Sequence, residues 1–174
     1  VNCITPQKDR EGFFYPDIDE DKCINCNQCE KVCPMFDTLK SDNSFKETYI
    51  TYLNNDKIRL QSSSGGVFSA VSDGILCSGG VVYGAAFDEE FMVRHIRVDS
   101  IEDMYMLRGS KYLQSDIGDT FVQVKADLNN KKTVLYTGTA CQIAGLKKFL
   151  NKDYDSLYTI DVLCHGVPSP EIWR

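Results

Sequence analysis

The sequence predicts two architectures in succession, a small cysteine-built module and then a mixed-sheet α/β domain, a fold of the α+β / α/β class. Three observations predict this. Five of the eight cysteines and three of the five prolines fall within residues 1–45, which are loop-rich and polar. No apolar period longer than a few residues runs there, so that segment cannot bury much core and needs another source of cohesion. From about Thr48 apolar residues recur with helical and strand periods, and the last third alternates strand, helix, strand.

Each element has its own signal. Tyr49–Leu53 reads as a short strand. The turn Ser62-Ser63-Ser64-Gly65-Gly66 leads into a helix in which Val67, Val71 and Ile75 recur every four residues with Phe68 beside them, and Gly79-Gly80 stops it. Val81–Phe87 and Phe91–Val98 read as two strands joined by the acidic turn Asp88-Glu89-Glu90. Ser100 is placed to cap a short helix over Ile101–Leu107, and Ser115 to cap the next. Ile117, Phe121, Val124 and Leu128 make one apolar helical face. Thr133–Tyr136 is a strand, Ile143, Leu146, Phe149 and Leu150 a second helical face, and Leu157–Leu163 a further strand. That alternation predicts a right-handed crossover and parallel pairing.

Composition bounds the function. Hydrophobic residues make up 43% and charged residues 25%, an ordinary globular balance that excludes a disordered tail, a collagen-like fibre and a coiled coil. The longest apolar stretch, Gly79 to Phe87, is far too short to span a bilayer. A net charge of -6 with no basic tract argues against nucleic acid as a partner. No charged-then-apolar leader opens the chain, and the cysteines crowd together instead of spreading at loop-closing intervals, so a reducing cytoplasm is the expected location. The chain opens on Val1, and the helix-start signal Pro168-Ser169-Pro170-Glu171 is cut off at Arg174. A fragment truncated at both ends is therefore expected.

Cys23, Cys26, Cys29 and Cys33, followed by Pro34, form C-x2-C-x2-C-x3-C-P. This is the bacterial ferredoxin run that ligates a [4Fe–4S] cube. Three thiolates so close in sequence wrap three corners of one cube, and the fourth serves the neighbouring cube in two-cluster proteins. The polar residues Asn25, Asn27 and Gln28 leave backbone amides to hydrogen-bond cluster sulfur. Structural zinc is the competing reading, but zinc sites pair two separated knuckles or combine Cys with His. Here there is no second knuckle and both histidines lie far off. In a two-cluster module Cys23, Cys26 and Cys29 need a fourth thiolate from upstream. Cys3 either supplies it or is an extra cysteine, since no proline follows it and no C-x2-C precedes it.

The stretch Glu11-Gly12-Phe13-Phe14-Tyr15-Pro16, then Asp19-Glu20-Asp21-Lys22-Cys23, leads into this motif. After it come Ser63-Ser64-Gly65-Gly66-Val67-Phe68-Ser69, then Gly109-Ser110-Lys111-Tyr112 with Gln114-Ser115. Thr137-Gly138-Thr139-Ala140-Cys141-Gln142 and Cys164-His165-Gly166-Val167-Pro168-Ser169 complete the order. In that order the motifs resemble the coenzyme F420 hydrogenase/dehydrogenase beta-subunit family over nearly the whole chain. The resemblance implies an iron–sulfur flavoprotein oxidoreductase that passes electrons between clusters, FAD and a second redox substrate or partner protein. It implies a ferredoxin-type [4Fe–4S] module over residues 1–45, with one or two clusters, and an FAD-binding-like domain over 46–174. It also implies cofactor contacts from Ser64, Gly65, Gly66, Lys111, Tyr112, Gln114, Ser115, Thr137, Gly138, Thr139 and Gln142. Ala140 stands where the family usually has proline, which removes a backbone lock and adds an N–H donor.

The residues themselves leave alternatives open. Thr137-Gly138-Thr139 lies at the carboxyl edge of a strand, where a helix N-terminus offers amides to an anion, or it is an ordinary capped turn. Cys141 opens that helix, where the dipole favours thiolate. It is a candidate catalytic thiol, a cluster ligand or a packing residue. Lys111 suits a phosphate and Tyr112 ring stacking, against a solvated lysine and a core tyrosine. Ser64-Gly65-Gly66 permits close backbone approach or is routine turn chemistry. Cys164 and His165 are adjacent at a strand end, so their side chains diverge unless a loop rescues them. His95, between Arg94 and Arg97, reads as a strand surface residue and Cys77 as core. There is no G-x-G-x-x-G, so a nicotinamide site is unsupported. The functional alternative is a non-enzymatic electron carrier whose globular domain docks the iron–sulfur module to a partner enzyme.

Overall fold

The computed structural model describes residues 3–36 and 47–173. The expected boundary between residues 45 and 46 lies outside the described residues. The first part contains a hairpin that the polar composition hides: β1 (Ile4–Lys8) pairs antiparallel with β2 (Phe14–Ile18), Ile4 opposite Ile18 and Lys8 opposite Phe14. Its turn is closed locally. The Asp9 carboxylate accepts from the N–H groups of Glu11 and Phe13, each at 2.9 Å. Gly12 takes φ 85°, a value glycine adopts without a Cβ penalty. Every residue of both strands is exposed, so pairing here owes nothing to apolar alternation. The helix α1 (Gln28–Val32) and a 3-10 turn over Pro34–Phe36 follow, and neither buries a residue.

The second part begins without the expected strand. Tyr49, Ile50 and Tyr52 are exposed, and no ladder forms along them. Leu53 is tied instead through its N–H to the Gly65 carbonyl at 2.7 Å. Asn55 caps α2 (Asp56–Leu60) by accepting from Lys57 N–H at 3.1 Å. The helix α3 (Val67–Cys77) forms where expected and stops at Gly79, but on another face. Val67 and Val71 point to solvent, while Ser69, Ser72 and Leu76 are buried. Serines at those positions let the helix backbone approach the sheet, and Ser69 Oγ accepts from Arg108 Nε at 3.1 Å. Cys77, expected in the core, is exposed, because one step past Leu76 the helix has turned away from the sheet.

The strands β3 (Val81–Phe87) and β4 (Val93–Val98) form the expected antiparallel hairpin. Asp88 closes it, accepting from Glu90 and Met92 N–H and pairing with Arg94 at 2.6 Å. Ser100 accepts from Asp103 N–H at 3.2 Å, but the element it starts, Glu102–Leu107, is a 3-10 helix. The helix α4 (Thr120–Asn129) begins after Asp119, not at Ser115. Then come β5 (Val134–Thr139), α5 (Ala140–Leu150), β6 (Leu157–Val162) and the short α6 (Pro170–Trp173).

The larger sheet runs β4-β3-β5-β6, with β3, β5 and β6 parallel and β4 antiparallel. The alternation in the last third therefore gives parallel strands as expected. One face carries α4 and α5, through Val124, Leu128, Ile143 and Leu146 against Tyr83 and Tyr136. The other carries α3 and the 3-10 helix, through Leu76, Met104 and Leu107 against Val82 and Leu135. A central sheet covered on both faces explains why β3 and β5 read as continuous apolar runs. The last segment reaches across both parts. Trp173 stacks on Phe87 at 6.3 Å and donates to the Phe91 carbonyl, while Ser169 donates to the Glu11 carbonyl at 2.6 Å. Among the described residues no helix is long and apolar enough to cross a membrane.

Candidate functional site

Two centres stand out, and one helix joins them. The first is the thiol loop. Cys23, Cys26, Cys29 and Cys33 are all free thiols. Asn25 and Asn27, one in each two-residue spacer, take left-handed backbone with φ 52° and 55°. Asparagine tolerates that conformation better than most residues, and the two left-handed turns curl the chain between successive cysteines. Cys29 lies within α1, and Cys33 is its C-cap with extended backbone, ψ 119°, as a residue before proline must be. The Cys23 thiol donates weakly to Asn25 Oδ1 at 3.8 Å.

Cys3 comes to the same place. Its carbonyl accepts from Asp19 N–H at 2.8 Å, which carries it beside the loop. Desolvation and the neighbouring Cys23 sulfur raise the Cys3 thiol above its ordinary range. Among the described residues no three His, Cys, Asp or Glu side chains converge as closely as a single ion requires. A cube, whose corners lie further apart, is matched by the donor set of four soft thiolates.

The second centre is the junction of β5 and α5. The strand runs to Thr139 and the helix starts at Ala140, with no loop between. Thr137 is buried, and its Oγ1 donates to the Tyr83 carbonyl at 3.0 Å. A Cβ on Gly84 would lie 2.8 Å from that oxygen, so glycine makes room for it. Gln142 closes a capping box on Thr139, its Oε1 accepting from Thr139 N–H at 3.0 Å. Gln142 Nε2 also donates to the Ser115 carbonyl at 3.4 Å. A Cβ on Gly138 would meet Gln142 Oε1 at 2.9 Å and His95 Nε2 at 3.3 Å, so a larger residue would crowd this ring of contacts.

His95 is the residue that sequence reasoning placed wrongly. It is 6% exposed, not on the surface. Its Nδ1 meets Ser115 Oγ at 2.7 Å and its Nε2 meets the Thr137 carbonyl at 2.8 Å. The ring stacks on Tyr136 at 5.2 Å. Burial holds its pKa below the ordinary histidine value, against the opposing pull of the Thr137 carbonyl. The flanking arginines suggest solvent, yet the period of two from Val93 places His95 on the same buried face. Ser115 is fixed here instead of capping a helix, because the adjoining Asp116 bridges β4 in parallel, accepting from His95 N–H at 2.8 Å.

The remaining expected contacts gather elsewhere. Ser63 Oγ accepts from Ser110 N–H at 2.7 Å, joining the Ser62–Gly66 turn to the segment that leads to Ser115. A Cβ on Gly65 would lie 2.4 Å from the Thr51 carbonyl, and Gly66 takes φ 80°. Both glycines thus serve the turn, and Ser64 is exposed beside them. Lys111 spends two donors on the carbonyls of Met106 and Arg108, at 3.1 and 2.8 Å. Burial pushes its ammonium down to about 8. Tyr112 and Gln114 are exposed, so Tyr112 is not a core residue. Cys141 is exposed in the first turn of α5, its Sγ 3.0 Å from Thr139 Oγ1. Cys164 and His165 follow β6 at the same sheet edge, both exposed, and Cys164 Sγ accepts from Gly166 N–H.

The two centres meet on α5. Both α1 and the Pro34–Phe36 turn pack on this helix. Pro34, directly after Cys33, lines a cleft of about 480 Å³ with Ala140, Ile143, Ala144 and Asp161. The cap that ties these elements is testable. Gln142→Ala removes the partners of Thr139 N–H and of the Ser115 carbonyl, and is expected to lower the stability of the sheet domain by about 1 kcal/mol in urea unfolding.

Comparison with known proteins finds matches over two segments of the chain. Residues 15–37 match the family described as 4Fe-4S binding domain. Residues 131–174 match the family model for the C terminus of the coenzyme F420 hydrogenase/dehydrogenase beta subunit. Among curated proteins none matches. Among solved structures, the chain is similar to one from the F420-reducing [NiFe] hydrogenase complex of Methanosarcina barkeri, with 21% identity and a TM-score of 0.53. The match covers 67% of this chain and 44% of that one, so the present chain spans less than half the length of its structural relative.

Proposed function

From its similarity to the coenzyme F420 hydrogenase/dehydrogenase beta-subunit family over residues 131–174 and to a 4Fe-4S binding domain over residues 15–37, we propose that the chain belongs to that family and is an iron–sulfur flavoprotein oxidoreductase. In this reading it passes electrons between a [4Fe–4S] cluster, a flavin of the FAD type and a second redox substrate or partner protein. One observation carries the reading. The cysteine segment packs on the same helix whose first turn forms the Thr137–Thr139 junction, with Pro34 and Ala140 lining one cleft. A redox centre and a ligand turn that share a helix are placed for electron exchange.

The residues fit both groups. Cys23, Cys26, Cys29 and Cys33 would hold the cluster, and Cys3, beside Cys23, is placed to serve the same centre. The β5–α5 junction lies at the carboxyl edge of parallel strands, where ligands collect. The first amides of α5 have no carbonyl within the helix to bond and favour an anionic group such as a pyrophosphate. Gly138 lets the backbone come close, and Ser115 and Gln142 brace the junction from the side. Ser64, Gly65, Gly66, Lys111, Tyr112 and Gln114 would extend the site outward in this reading, supported by the Ser63 to Ser110 bond that ties the Ser62–Gly66 turn to the segment before Ser115. Cys141, at the start of the helix, is the candidate reactive thiol. When bound, a flavin supplies exchange in ones or twos between a two-electron substrate and a one-electron cube. Lys111, with a pKa of about 8, stays largely protonated at neutral pH and adds positive charge near the turn.

The test is release of cofactors from the full-length protein purified without oxygen. Denaturation is expected to liberate flavin together with iron and sulfide. Iron and sulfide without flavin would favour the electron carrier that docks to a partner enzyme. A deazaflavin in place of flavin would assign the junction to that coenzyme, and zinc alone would overturn both readings.

A further inference from the structure

The contact between Ser115, His95 and Thr137 has a definite sense. A carbonyl oxygen only accepts, so His95 Nε2, 2.8 Å from Thr137 O, carries the proton. In the neutral ring Nδ1 is then an acceptor, and the Ser115 hydroxyl donates to it at 2.7 Å. The imidazole is 6% exposed and lies flat against Tyr136, its plane 13° from the tyrosine ring. Neither nitrogen is left to react, and the ring cannot flip without breaking both bonds. It joins residues 20 and 42 positions away in sequence. A Cβ at position 138 would lie 3.3 Å from Nε2, a tight contact that glycine avoids.

We propose that His95 is a positioning residue, held as the Nε2–H tautomer between the Ser115 hydroxyl and the Thr137 carbonyl, which fixes the β5–α5 junction in its cofactor-holding shape. The proposal rests on the reading of that junction as the flavin site. It adds a residue outside every motif that suggested the site. The Thr137 carbonyl shares one peptide plane with the Gly138 N–H, so holding the carbonyl fixes the backbone as it enters the junction. The Nε2 bond is therefore the contact that matters for the ligand, and the Ser115 bond steadies the ring.

The experiment compares the full-length protein with His95→Ala, His95→Gln, His95→Asn and Ser115→Ala. Each is stripped of flavin and titrated with FAD, and visible circular dichroism of the bound flavin and Tm are recorded. Gln retains a donor at the Nε2 position, and Asn retains an acceptor at the Nδ1 position. His95→Ala is expected to weaken FAD binding about 10- to 30-fold, the loss of two hydrogen bonds. His95→Gln should recover binding to within about threefold, and His95→Asn should not. Ser115→Ala, which leaves the Nε2 bond in place, should weaken FAD binding less than His95→Ala does and alter the dichroism. A fall in Tm with FAD affinity unchanged in His95→Ala would make His95 a core residue only and overturn the proposal. So would equal losses in the Gln and Asn variants. Wild-type protein that takes up no FAD would overturn the flavin reading itself, and is seen before any variant is made.

Discussion

Cys26→Ala is expected to strip the protein of iron and sulfide and to unfold residues 3–36, while the sheet domain melts as before. Of the described residues before position 37, Gly12 alone is buried. Both strands of the hairpin are exposed along their whole length, and α1 and the Pro34–Phe36 turn bury nothing. With no apolar core, about 25 cal/mol per Å² of buried apolar surface has little to act upon. The ordering of this segment must be offset by other means, and the cost is on the order of 1.5 kcal/mol per residue. A cluster bonded to four thiolates is such a means, and a small metal-built domain of this kind folds only with its metal. The sheet domain depends on Tyr83, Tyr136, Leu146 and their neighbours, a core cluster to which no cysteine of the run belongs. Iron and sulfide assays, with limited proteolysis read separately over the two parts, check the outcome. Cys77→Ala, on the exposed side of α3, should keep its iron. Full iron retention in Cys26→Ala would remove that cysteine from the ligand set.

The same contrast explains what is legible in the sequence. The cysteine run can be read because its members are neighbours in the chain, and the β3–β4 hairpin and the parallel pairing of β5 with β6 follow from the acidic turn and from the strand–helix–strand alternation. The β1–β2 hairpin escapes such reading because exposed strands show no alternation, and the Asp9 and Gly12 turn is its one local signal. The α3 face misleads because serines, not valines, lie against the sheet. His95 and Ser115 are misplaced for a common reason. Their partners are far away in sequence, and local cues, flanking arginines in one case and a cap-like serine in the other, point outward. The motifs name most of the junction, but only the fold shows that Gln142, Ser115 and His95 brace it together.

Asp127→Ala is expected to cost the sheet domain about 3 kcal/mol, the scale for breaking a buried ion pair from one side. Asp127 is 8% exposed and lies on α4. Its Oδ2 accepts from the Tyr83 hydroxyl at 2.6 Å and from Arg97 Nε at 2.8 Å, and Lys132 Nζ lies 3.5 Å from Oδ1. Removal would leave the buried Tyr83 hydroxyl without its acceptor at the centre of the sheet, where Tyr83 stacks on Tyr136. Arg97 would keep Asp99, at 2.7 Å, so the loss falls short of a fully stranded charge. The pair also has a pH signature. Burial works to raise the Asp127 carboxyl, but hydrogen bonds from Arg97 and Tyr83 and the charges of Arg97 and Lys132 outweigh it and hold the group below its ordinary range. Burial, with the hydrogen bond and charge of Asp127, holds the Tyr83 phenol well above its own. A depressed carboxylate contributes stability in full above its unfolded value, about 3.9, and loses it as pH falls through the folded value. Wild-type stability in urea should therefore drop below about pH 4 more steeply than that of Asp127→Asn, which cannot titrate there. The two curves should converge as acid protonates the wild-type carboxyl. Parallel curves down to the lowest pH at which the domain stays folded would show that Asp127 is not the group whose ionisation stabilises the contact between α4 and the sheet.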